Sequence, residues 1–169
     1  MRKNIYLGIV QNLKRAVYNE NKVFDIYPDT AQLNAAIEAA KLENKELDFV
    51  FKHFDLWNHN VEFIESETNW ETPAVFVQFD PIQYKPSQRG KREAEPTIYL
   101  HIVTPSTFTY LDQDGTNSLF DLLELPYRIL HQSAGFGYTA MQHIGSQTNH
   151  DHEELVESIE TFACKVVGY

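Results

Sequence analysis

The sequence predicts an α+β fold: a single, largely antiparallel sheet of four to five strands with helices packed on one face. Three observations carry this. Residues 73–79 (Pro-Ala-Val-Phe-Val-Gln-Phe) and 97–103 (Thr-Ile-Tyr-Leu-His-Ile-Val) are β-branched and aromatic runs bounded by Pro, which marks two buried strands. A helical apolar stripe follows them at residues 119–132. Alternating tracts close the chain, with Phe162, Cys164 and Val166 out of phase with Thr161, Ala163 and Lys165.

In chain order, residues 4–17 read as a helix, because Tyr6, Val10, Leu13 and Val17 recur at helical spacing with Ile9 beside them. Residues 18–29 are polar and end in Tyr27-Pro28-Asp29-Thr30, a turn able to cap a helix. The helix after it spans residues 31–45. Its narrow apolar face of Leu33, Ala36, Ile37 and Ala40, extended by Leu47, suits packing over the sheet from outside the core. Residues 18–47 are the one polar, helical tract between more apolar blocks and read as an insertion in a single domain of residues 1–169. Strand character begins at Asp48 and runs through Phe49-Val50-Phe51 to Trp57; Val61-Glu62-Phe63-Ile64 extends it or crosses its edge.

Residues 105–118 are rich in Thr, Ser, Asp, Gly and Asn and form a loop. Asn117 or Ser118 caps the helix at 119–132, whose face comprises Leu119, Leu122, Leu123, Tyr127 and Leu130, and Gly135 is placed to end it. Pro126 interrupts that helix at a cost of roughly 3 kcal/mol, so a kink at 122–126, or a second helix starting at Pro126, is expected. Residues 138–148 and 158–167 form the closing strands, joined by 149–155.

The composition narrows the function classes. The chain has 169 residues, 43% of them hydrophobic, enough for one ordinary core. Its 24 Asp and Glu against 14 Lys and Arg leave a net charge of −10, which opposes general binding of nucleic acid. Cys164 is the single cysteine, so an internal disulfide is excluded and a reducing compartment fits. The apolar stretch near Met1 is too short for a secretory signal and no run reaches membrane-spanning length, so a cytoplasmic protein is expected.

Candidate chemistry is sparse. In an extended His150-Asp151-His152-Glu153-Glu154, alternate side chains point the same way, so His150 and His152 with Glu154 are candidate metal ligands and His143 a candidate third ligand. The competing reading is a solvated turn, and a metal-dependent cytoplasmic enzyme built on His150 and His152 is the rival from another class. No Gly-x-Ser-x-Gly elbow is present, and Gly135-Phe136-Gly137 lacks the setting of a phosphate loop. Cys164 reads as a buried small hydrophobe. Glu153, Glu154, Glu157 and Glu160 read as an exposed acidic run, with no member desolvated for acid–base work. His53, His59, His101 and His131 read as satisfied or surface histidines, and Trp57 and Trp70 as core or interface anchors. The remaining feature is the loop between the two apolar runs, where Lys85, Arg89, Lys91 and Arg92 oppose the sign of the chain. It is either a solubilising hairpin tip or an electrostatic contact to an acidic partner, a second copy included.

The order of elements, together with 5–17, Leu56-Trp57-Asn58, Thr72-Pro73-Ala74-Val75-Phe76-Val77, Leu100-His101-Ile102-Val103-Thr104, Phe120-Asp121-Leu122-Leu123 and Asn149-His150-Asp151-His152, resembles the phage and prophage tail-terminator (tail-completion, head–tail joining) family. The resemblance covers most of residues 4–17 and 48–167 and omits 18–47. It implies a non-enzymatic structural protein without cofactor: a homo-oligomeric ring, usually a hexamer, that caps the tail tube and meets the neck. Its partners would be copies of itself, tail-tube proteins and neck proteins. Its location would be the bacterial host cytoplasm during assembly and then the virion tail. A ring lumen that DNA traverses should repel phosphate, which an acidic subunit does. The alternatives of the same or another kind are a head–tail neck adaptor and a monomeric acidic binding or immunity module.

Overall fold

The computed structural model describes residues 1–57, 70–86, 91–105, 118–149 and 155–167. In chain order the elements are α1 (Arg2–Leu13), β1 (Ala16–Tyr18), β2 (Phe24–Ile26), α2 (Thr30–Leu42), β3 (His53–Leu56), β4 (Ala74–Phe79), β5 (Tyr84–Pro86), β6 (Arg92–Ala94), β7 (Thr97–Pro105), α3 (Leu119–Leu130), β8 (Gln142–Asn149), β9 (Leu155–Ala163) and β10 (Val166–Val167). The main sheet has five strands in the order β3-β4-β7-β9-β8. Only β3 and β4 run parallel; the other pairs are antiparallel. The two apolar runs are neighbours, from Ala74 opposite Val103 to Phe79 opposite Ile98, and β7 is the central strand.

The period of two sorts the strand residues. Val75, Val77, Ile98, Leu100, Ile102 and Phe162 face α1 and α3, which contribute Ile5, Ile9 and Leu13, and Leu122, Leu125 and Ile129, to one core. On the opposite face Ala74, Phe76 and Val103 form a smaller cluster against Trp57, Trp70 and Leu155. The α+β class and the single face for α1 and α3 match the sequence expectation.

Several local expectations are corrected. α1 ends at Leu13, and its buried face is Ile5, Gly8, Ile9, Asn12 and Leu13, not the Tyr6–Val10 stripe. Gly8 and Asn12 hide that face from a hydrophobic count: Asn12 turns inward because its Nδ2 donates to the Gly8 carbonyl at 2.8 Å. The polar tract after it contains a hairpin, β1–β2, closed where the Asn19 side chain accepts from the Asn21 and Val23 amides. α2 starts on the expected cap, with Asp29 accepting from the Gln32 amide, and stays outside the core of α1 and α3 as expected, but of its expected apolar face it buries Leu33 alone. Residues 48–51 precede the strand and do not belong to it; Val50 instead donates its amide to the Ala16 carbonyl and seats itself and Phe51 in the core.

α3 runs unbroken through Pro126. The cost of one proline is offset by burial of Leu119, Leu122, Leu125, Ile129 and Leu130, at about 1.5–3 kcal/mol each. Ser118 and Asp121 close a reciprocal capping box at its start. Its buried face includes Leu125 and Pro126, whereas Tyr127 is exposed. His131, not Gly135, is the C-cap, and Gly135 serves a turn in which Gly135 and Tyr138 exchange backbone bonds. The closing strand expected at 138–148 begins at Gln142, and the last is split into β9 and β10 at Cys164–Lys165. Two small sheets, β1-β2 and β10-β6-β5, accompany the main one. The tract 61–64 lies outside the described residues.

Candidate assembly interface

The described parts of the basic loop form a two-stranded stem. β5 and β6 pair with Tyr84 opposite Ala94, Lys85 opposite Glu93 and Pro86 opposite Arg92. β10 tethers β6 to the body, with Val166 opposite Ala94, both buried, and Lys165 Nζ 3.2 Å from a Glu93 carboxylate oxygen. All of β5 is exposed, and it is the outer strand of its sheet. Lys85 and Pro86 on such an edge discourage indiscriminate strand pairing while leaving the side chains available. Arg92 holds its guanidinium carbon 5.9 Å from the Tyr84 ring centroid, a cation–π contact that stiffens the hairpin stem. Lys85, Lys91 and Arg92 are exposed, and none of the three is in an ion pair among the described residues. Arg89 lies outside the described residues, as do His150, His152 and Glu154 of the candidate metal turn.

The acidic run is corrected most. Glu157 and Glu160 are 4% and 3% exposed, and each meets a histidine. On the face away from the helices, His101 Nδ1 lies 2.5 Å from Glu157 Oε1 and its Nε2 lies 2.7 Å from Gln78 Oε1. Asn149 donates to Glu157 Oε2 at 3.1 Å, and the Trp57 indole stacks on the imidazole with centroids 3.8 Å apart. On the helix face, His143 Nε2 lies 2.6 Å from Glu160 Oε2, and Ser146 Oγ donates to Glu160 Oε1. Buried carboxyls persist because these partners replace water. Glu157 and Glu160 sit on opposite faces of β9 because they are three positions apart, an odd number, in a strand of period two.

The Ser146–Glu160–His143 group lines an open cavity of about 410 Å³ between β8 and the exposed side of α3, together with Phe120, Leu123, Glu124, Tyr127 and Thr148. Its order places the carboxyl, not the imidazole, next to the hydroxyl, so the serine–imidazole relay of acyl transfer is not assembled there. His143 Nε2 is engaged by Glu160, and the turn that would supply the other candidate ligands lies outside the described residues. Among the described residues no three His, Cys, Asp or Glu side chains are grouped to hold a metal ion. No described helix is long and apolar enough to cross a membrane.

This cavity escaped the sequence reading. The apolar count places Tyr127 on the buried stripe of α3, although Phe120, Glu124 and Tyr127 recur at the helical spacing of a second, outward face. That recurrence was the available signal. The burial of Glu160 had none.

No protein-family model matches the chain, and no curated protein matches its sequence. Among solved structures, one similar chain comes from a structure described as the virion of a native gene transfer agent (GTA) particle. It shares 11% identity, covers 82% of this chain and 90% of its own length, and superposes with a TM-score of 0.44.

Proposed function

We propose that the protein is a non-enzymatic structural component of a phage or phage-like virion, assembling as a ring that caps the tail tube and joins it to the neck. The observation that carries the reading is the β5–β6 hairpin, which projects Lys85, Lys91 and Arg92 from a chain of net charge −10. Copies that are acidic overall repel one another, so contact between them needs a local patch of opposite sign. The hairpin supplies it on a rigid stem. Ring contacts join two different surfaces, and a projecting hairpin suits one half of such a contact. The segments that resemble the tail-terminator family support the placement at the tail end. In this reading residues 18–47, with α2 outside the core, are an insertion, and the protein passes from the host cytoplasm into the virion tail.

The test is assembly. The variant carrying Lys85→Glu, Arg89→Glu, Lys91→Glu and Arg92→Glu should form smaller particles than the parent by light scattering at moderate salt. Unchanged particle size would count against the hairpin as a contact. Polymerising tail-tube protein should stop growing, with a ring visible at its end by electron microscopy, when the protein is added. Continued growth with bare ends would remove the capping role.

A further inference from the structure

We propose that the cavity between α3 and β8 receives the β5–β6 hairpin of a neighbouring copy. This inference rests on the self-association reading above and names the surface the hairpin meets. The groove matches the hairpin in charge and in chemistry. Its outer wall carries exposed Glu124 between Phe120 and Tyr127, which are 63% and 42% exposed, and its floor is the satisfied Glu160. Among its lining residues there is no Lys or Arg. The hairpin presents Lys85, Lys91 and Arg92 beside Tyr84, itself 50% exposed. Cations over Phe120 and Tyr127 gain ring attraction in addition to the pairing with Glu124.

The rim of the groove is also receptive. β8 ends the main sheet, and its residues 142–149 contain no Lys, Arg or Pro, the usual protections of an outer strand. A shift in register at His143–Gly145 places Ile144 outward, 58% exposed. An exposed side chain of that size offers an incoming hairpin an apolar contact. The two halves are also different surfaces. The hairpin leaves the body where Phe79, Thr97 and Ala163 lie, whereas the groove follows the outer β8 border on the helix-covered face. One copy offers the hairpin and the next the groove, so copies joined head to tail can close into a ring.

Sedimentation of the full chain at low salt tests this with surface variants whose side chains are exposed. Glu124→Lys and Tyr127→Ala should each weaken self-association about tenfold. Glu124→Lys combined with Lys91→Glu should recover part of the loss of either change alone, because the reversed charges again oppose each other. Circular dichroism should stay at the parent spectrum. Three outcomes overturn the inference. Association weakened by hairpin reversal but indifferent to Glu124→Lys places the hairpin elsewhere and leaves the self-association reading standing. A defect of Glu124→Lys confined to binding of tail-tube protein gives the groove to that partner. A parent chain that remains monomeric at all concentrations removes the self-association reading and this inference together.

Discussion

Replacing His101 by Phe isolates what the buried polar cluster contributes to stability. The phenyl ring keeps the shape that Trp57 stacks on at 3.8 Å but withdraws the imidazole nitrogens from Glu157 and Gln78. A hydrogen bond to a charged group contributes about 1.5–3 kcal/mol and a neutral one about 1. Asn149 still donates to Glu157 Oε2, so the carboxyl is not stripped of all support. The expected loss for His101→Phe is therefore about 3 kcal/mol. Urea unfolding should show a lower midpoint with an unchanged slope, because the surface exposed on unfolding is the same. In a chain of 169 residues the melting temperature should fall by about 6–12 °C. The double variant His101→Phe with Glu157→Leu should be more stable than the sum of the single losses by about 2 kcal/mol, since it removes the carboxyl together with its partner. Additive losses, or a cost under about 1 kcal/mol for His101→Phe alone, would refute this account of the cluster.

Three further outcomes follow from the same structure. Burial pushes the Cys164 thiol up to about 11, so at pH 8 roughly one thiol in a thousand is ionised, and a disulfide reagent should label the native protein far more slowly than the urea-unfolded chain; comparable rates would contradict the packing of β9 into β10. Asp48 is held below the usual carboxylate range, chiefly by a hydrogen bond from Lys52 and next by one from Lys22. Its charged form is thus favoured in the fold, and its contribution is complete above about pH 4 and lost as pH falls through the lowered value; Asp48 is more than a third exposed, so the effect stays below ~1 kcal/mol. Asp48→Asn should flatten the acid end of a stability–pH curve, and an unchanged acid limb would speak against the pairing. Finally, a Cβ on Gly8 would stand 2.8 Å from Phe136 and 3.0 Å from Tyr138, so Gly8→Val should cost about 1–3 kcal/mol by displacing the 131–141 turn from α1, whereas a melting curve identical to the parent's would mean the turn does not rest there.

The sequence by itself determined the elements whose signal is local. β4 and β7 appear where β-branched and aromatic residues crowd between prolines, and α2 and α3 begin on the turn residues Asp29 and Ser118. Each of these is decided by residues within a turn or a strand length of one another. It also marked the basic segment, because charge is countable, though not that the segment is a hairpin held by β10. Tertiary structure alone decided the rest. Gly8 and Asn12 belong to a buried helix face only because the turn carrying Phe136 and Tyr138 folds over Gly8 and Asn12 bonds back to it. The parallel pairing of β3 with β4 depends on where the chain returns, not on the residues of β3. Glu157 and Glu160 read as solvated acids because an isolated carboxyl belongs in water; they are buried because His101, from a strand 56 residues earlier, and His143, 17 residues earlier, arrive beside them and replace that water. A carboxyl's neighbours along the chain carry no record of a partner that only the sheet brings near.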